Sequence, residues 1–199
     1  MGAVLPRELV PGRSCGSCNV CCVHLTINDP QLKKLQGYRC RNLTPQNSCA
    51  IYDCRPQTCR DFFCGWRYLK WVREPLRPDR SHVLIRLFVD KKDGGTAVGI
   101  SLMILDPRAF KADGLAETVA AAVNAGVPVQ LNVPGPPGHT SSGARINEVL
   151  LDAVTFKDKA SLLAALKRAY AQGRKGNFEP IVLGPPAAGT EDSSADDLA

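Results

Sequence analysis

Apolar and polar positions alternate most cleanly between His82 and Asp90, where Val83, Ile85, Leu87 and Val89 fall on one face and Leu84, Arg86 and Phe88 on the other. A period of two in β-branched and aromatic residues predicts a half-buried strand. Lys91-Lys92-Asp93-Gly94-Gly95 is a turn signal, and Thr96 to Leu105 reads as the return strand of a hairpin. Asp106-Pro107 opens a helical stretch whose best part runs from Ala116 to Ala125, with Val119 and Val123 four apart and Gly126 as the cap. Val127 to Val133 reads as a further strand, and Ile146 to Phe156 as another. Asp158 to Ala171 closes the pattern as a helix with Leu162, Leu163, Leu166 and Tyr170 on one face. Between them, Pro134 to Gly143 is expected to be a flexible connection, because it lacks the glycine and lysine spacing of a phosphate-binding loop.

The pattern weakens upstream. Val23 to Ile27 is expected as a short strand, and Asp29-Pro30 as the start of a short helix through Leu32 and Leu35 to Gly37. Phe62 to Trp71 is aromatic and reads as helical, and Glu74-Pro75 to Pro78 breaks it. These punctuations divide the chain into a lead-in at 1–14, a cysteine-rich metal-binding domain at 15–78, an α+β domain at 79–183 and a disordered acidic tail at 184–199. The fold class that follows is α+β, with an irregular cysteine-rich region packed on a small α+β region whose sheet is mainly antiparallel.

Composition changes the picture in one respect. Hydrophobic residues are 44% and charged residues 22% of the 199, as in ordinary globular proteins, yet all nine cysteines fall between Cys15 and Cys64. They stand as Cys15-x2-Cys18-x2-Cys21-Cys22, then Cys40, then Cys49-x4-Cys54-x4-Cys59-x4-Cys64. No run of about 18 apolar residues offers a membrane span, and Met1 to Arg13 does not read as a signal peptide, so the expected location is cytoplasmic. In a reducing compartment such cysteines point to metal rather than to disulfides, and an odd number fits a disulfide scaffold poorly.

Two thiols separated by two residues reach one metal through a tight turn, as Cys15/Cys18 and Cys18/Cys21 can. Neighbouring side chains on extended backbone point to opposite sides, so Cys21 and Cys22 are expected to serve different metals, or to be one ligand and one spare, which suggests a two-metal or polynuclear arrangement with the doublet at its hinge. Five-residue steps rotate a helical side chain by about 140°, so Cys49, Cys54, Cys59 and Cys64 are expected on loops rather than on one helix face. His24 is close in sequence, but an isolated histidine is a weaker candidate. Thiolate sites suit zinc and iron–sulfur clusters alike.

Residues 1–80 carry 13 Lys and Arg against 6 Asp and Glu, which invites a nucleic-acid reading. Compensation of thiolate charge by Arg39, Arg41, Arg55, Arg60 and Arg67 accounts for the same excess and is preferred.

The ordered set Cys15-x2-Cys18-x2-Cys21-Cys22, Cys40 and Cys49-Ala50-Ile51-Tyr52-Asp53-Cys54-Arg55-Pro56-Gln57-Thr58-Cys59-Arg60-Asp61-Phe62 resembles the CxxCxxCC (YkgJ-like) family of zinc- or iron-chelating cysteine-cluster proteins. The resemblance covers roughly residues 15–64 and implies ligand roles for Cys15, Cys18, Cys21, Cys22, Cys40, Cys49 and Cys59. Cys54 falls at a variable position of that motif and Cys64 just beyond it; both stay among the candidate ligands. Some relatives with a similar cluster are flagellin lysine methylases, but residues 81–199 show no glycine-rich nucleotide loop after a strand.

The expected function is metal binding, of zinc or an iron–sulfur cluster, through these cysteines. The alternatives are an iron–sulfur redox protein or enzyme and, less favoured, a zinc-dependent nucleic-acid binder. Metal ions are the expected partners, with a protein partner through the α+β region and no membrane. No catalytic set emerges from His24, His82 and His139.

Overall fold

The computed structural model describes residues 8–92 and 95–184, so the expected acidic tail lies outside the described residues except for Gly184. The helices and strands make an α+β protein. Its centre is a four-stranded sheet in the order β3-β4-β5-β6, formed by Val83–Lys92, Gly95–Ile104, Val129–Pro134 and Ser141–Arg145. The first two make the expected hairpin, in register from Val83 opposite Ile104 to Lys92 opposite Gly95. β4 and β5 run parallel, which demands a crossover. Helix α5, Leu115–Asn124, lies within that connection and buries Leu115, Val119 and Val123. β5 and β6 are antiparallel.

Two sequence expectations fail in this half. Residues 147–155 form helix α6, Asn147–Thr155, rather than a strand. Leu150 and Val154, four apart, are its buried residues, and the Asn147 side chain accepts the Val129 amide at 2.7 Å, fixing the helix to the start of β5. The supposed flexible loop ends in strand β6 and is pinned at its turn. Gly138 donates to the Gln36 carbonyl at 2.7 Å, while the Gln36 side chain donates to the His139 carbonyl at 2.8 Å and accepts from the Ser141 hydroxyl at 2.9 Å. Gly37, at φ +82°, sits so close that a Cβ there would meet the Pro137 Cα at 2.7 Å. Helix α7, Lys159–Gly173, agrees with expectation and starts at Asp158, whose carboxylate accepts the Ser161 amide at 3.0 Å.

Alternation along β3 and β4 sends their side chains to two faces. On one, Ile85 and Leu102 join Leu131, Leu150, Leu162 and Leu166 in the main core. On the other, the cross-strand pair Leu84 and Met103 packs against Val20 of the cysteine-rich region. That region also enters the main core through Trp66, Val72 and Leu76. Arg13 ties the segment together: it donates to the carbonyls of Trp66, Leu69 (3.2 Å) and Val72 (2.6 Å) and stacks over the Trp66 ring.

The elements around the cysteines are short. Helix α1 is Val20–His24, so the strand expected at 23–27 is absent and β1 begins only at Ile27. The helix expected after Asp29-Pro30 is instead a hairpin of β1, Ile27–Asp29, with β2, Leu32–Lys34. Asp29 accepts the Gln31 amide at 3.0 Å, which makes a turn of Pro30-Gln31 rather than a helix start. Leu32 and Lys34 are buried with Lys33 exposed between them, a period of two. Helices α2, Gln57–Asp61, and α3, Gly65–Tyr68, follow; the aromatic run is helical over only four residues. Gly65 is required there because a Cβ would meet the Ile85 side chain at 2.5 Å. Helix α4, Pro78–Ser81, leads into β3.

Candidate metal centre

Each cysteine is placed by a separate short device. The Cys18 amide donates to the Cys15 carbonyl at 2.8 Å, closing the first Cys-x2-Cys turn. Arg77 donates to the same carbonyl at 2.8 Å, anchoring the turn to the segment before β3. Cys21 and Cys22 lie within α1, so the extended backbone expected for the doublet is replaced by a helix, with the two sulfurs 4.0 Å apart. The Cys40 amide donates to the Cys22 carbonyl at 3.0 Å, bringing a residue eighteen positions on beside the doublet. Cys49 pairs with Leu43 in a β-bridge. Cys59 sits in α2, and Asp29 accepts the Thr58 hydroxyl at 2.9 Å, so the β1–β2 turn holds that helix in place. The five-residue series shares no single helix, but it is not confined to loops either: Cys59 lies within α2 and Cys54 in a helical turn.

Seven cysteines, Cys15, Cys18, Cys21, Cys22, Cys40, Cys49 and Cys59, line one cavity of about 140 Å³. These are the seven singled out by the family resemblance. Cys54 lies apart, exposed at the end of a single helical turn. Cys64 caps the start of α3 and packs with Cys18 on Val20, Leu84 and Met103. His24 is not among the residues that line the cavity. All nine cysteines are free thiols. Among the described residues, no three His, Cys, Asp or Glu side chains converge tightly enough to form a metal-binding group. The thiols surround a space rather than close on a point.

The electrostatics separate one cysteine from its neighbours. The Cys21–Cys22 contact raises the Cys21 thiol and lowers Cys22 to about 7, helped by the charges of Lys34 and Arg55. Burial pushes Cys59 and Cys64 up to about 11 and raises Cys18 and Cys49 as well. Buried thiols of this kind ionise when a cation, above all a metal, replaces the lost water.

Lys34 is the residue the sequence did not reveal. It is only 7% exposed, and its ammonium donates to the carbonyls of Val23 (2.9 Å), Leu35 (3.0 Å) and Tyr38 (3.0 Å). Burial lowers its pKa, while Cys40, Cys22, Cys21 and Cys59 oppose that shift. The available signal was the alternation Leu32-Lys33-Lys34, which a strand turns into an inward lysine. Of the five arginines expected to balance thiolate charge, Arg55 lines the cavity. Arg39, Arg41 and Arg60 instead bond Asn47, Gln31 and Gln57 on the surface, and Arg67 stacks over Phe63.

The donor set has a definite chemical character. The cavity lining contains seven sulfurs and no carboxylate or imidazole. Such a set disfavours calcium and magnesium, which take oxygen ligands, and suits zinc, copper(I) or an iron–sulfur cluster. Compared with protein-family models, with curated proteins and with solved structures, the chain matches none. Among the described residues no helix is long and apolar enough to cross a membrane.

Proposed function

We propose that this chain is a metal-binding cysteine-cluster protein that chelates zinc or an iron–sulfur cluster through cysteine thiolates. One observation carries the reading: seven cysteines from four separate stretches of chain line a single cavity whose lining has no carboxylate or imidazole. A core that merely tolerated small sulfur residues would not gather them this way, with a buried ammonium bonded beside them. Lys34 and Arg55 offset the negative charge that thiolates bring to a divalent ion or cluster. The location assigned with this function is cytoplasmic, where thiols stay reduced and available.

The test is elemental analysis and a visible spectrum of anaerobically purified protein. Bound zinc in a colourless protein, or iron and sulfide with absorbance near about 400 nm, is the expected result. Metal-free, folded protein that takes up neither zinc nor iron overturns the proposal.

A further inference from the structure

We infer that metal binding draws eight of the cysteines together into two adjacent four-thiolate centres, Cys15/Cys18/Cys21/Cys64 and Cys22/Cys40/Cys49/Cys59, joined at the Cys21-Cys22 doublet. The inference rests on the metal-binding reading above and adds a partition, a stoichiometry and a role for Cys64.

The packing divides the sulfurs before any charge is considered. Cys18 lies on Val20, Leu84 and Met103, the side of the cysteine-rich region that meets the sheet, and Cys64 packs there too while also reaching the main core. Cys22, Cys40 and Cys59 lie instead with Ile27, Leu32 and Leu43, the side built on the β1–β2 hairpin. Cys49 joins the second group by its bridge to Leu43, and Cys15 joins the first through its turn with Cys18. The through-space interactions follow the same line. Cys64 feels Cys15 and Cys18, whereas Cys49 and Cys59 each feel Cys22 and Cys40. Cys21 feels Cys15 and Cys18 in addition to its neighbour.

The doublet supplies one ligand to each side. Consecutive residues on a helix point about 100° apart, so Cys21 and Cys22 of α1 address different directions from one backbone. Their sulfurs, 4.0 Å apart, keep the centres close. Cys54, exposed and outside both groups, is the spare thiol of the nine. The rival arrangement puts both doublet sulfurs on one ion, because the edge of a zinc–sulfur tetrahedron is about 3.8 Å for bonds of about 2.3 Å. Seven lining thiols would then hold a single polynuclear centre and Cys64 would be a core residue.

Metal content of the anaerobically purified full chain and of four variants decides between them. Cys64→Ser and Cys59→Ser are each expected to lose half of the metal bound by the unmutated protein, the double variant all of it, and Cys54→Ser none. Full metal retention in Cys64→Ser, or complete loss in either single variant, overturns the partition while leaving the metal-binding reading intact. Absence of metal from the unmutated protein defeats the underlying reading itself. A second measurement does not depend on variants that fold: the unmutated protein reloaded with cadmium-113 should give two resonances of equal intensity, each with the shift of four sulfur ligands. A single resonance, or shifts of mixed ligation, counts against two four-thiolate centres.

Discussion

The two halves of this chain reach a defined structure by different means. From β3 to α7, long elements bury large aliphatic side chains, and Leu102, Ile104, Leu115, Leu131, Leu150 and Leu166 are at most 2% exposed. Around the cysteines, elements of three to five residues supply only Val20 to the cluster beneath the sheet, and Ile27 and Leu32 with Cys40 to the cluster on the hairpin side. Burial of apolar surface accounts for the first region, at roughly 1.5–3 kcal/mol per large side chain. The second has too little of it, and compensates with carbonyl-clamping cations, Arg13 and Lys34, and with sulfur. Small regions with thin cores commonly take folding energy from a bound metal.

Metal removal tests that contrast most severely. Structural zinc contributes on the order of 10–16 kcal/mol in small thiolate domains. A chelator is therefore expected to strip protection from amide exchange across residues 15–64 while the amides of β4 and β5 stay protected. Uniform loss of protection along the whole chain would show that the two regions share one source of stability.

The converse test damages the other half. Leu102 is fully buried at the centre of β4, and Leu102→Ala should cost about 2–5 kcal/mol in denaturant unfolding of the α+β region. Metal content per folded molecule should be unchanged, because the cysteine-rich region meets that core mainly through Trp66, Val72 and Leu76, with Cys64 the one cysteine packed against it. Loss of metal in parallel with stability would couple the regions through the sheet.

The same contrast governs what was legible in the sequence. Where apolar burial decides, periodicity reads it: β3, β4, α5 and α7 all follow from alternation or from four-residue spacing. It failed at α6, where Val149 and Leu151 lie exposed beside buried Leu150 and so disguise the helical face. Where local bonding decides, periodicity has little to measure. Asp29-Pro30 looked like a helix start because the same carboxylate that caps a helix also closes a turn, and only the distant Thr58 and the inward Lys34 select the turn. The cysteine motif itself was legible from spacing, but its division was not. Cys64 lies outside the motif, and the packing that joins it to Cys18 depends on Leu84 and Met103, which are distant in sequence.

Lys34 offers the finest division, within the cysteine-rich region itself. Its charge acts on Cys40, Cys22, Cys21 and Cys59, three of them thiols of the hairpin side, and its ammonium donates all three of its protons to backbone carbonyls. The charge, not a direct bond, is its contribution to a thiolate centre. Four thiolates around a divalent ion leave a negative centre, which a fixed nearby cation stabilises and the neutral, protonated thiols do not need. Lys34→Met keeps the bulk of the side chain, removes the charge and leaves the three carbonyls without their donor. Loss of those bonds affects the protein whether or not metal is bound, whereas loss of the charge weakens the metal-loaded state alone. Outer partners of this kind typically change metal affinity by about 10–100-fold. Competition with a chromophoric chelator should therefore show weakening of that order for the Cys22/Cys40/Cys49/Cys59 centre and a smaller change, felt through Cys21, for the Cys15/Cys18/Cys21/Cys64 centre. Equal weakening of both would reduce Lys34 to a clamp on the Val23–Tyr38 backbone and remove the charge argument from the hairpin side.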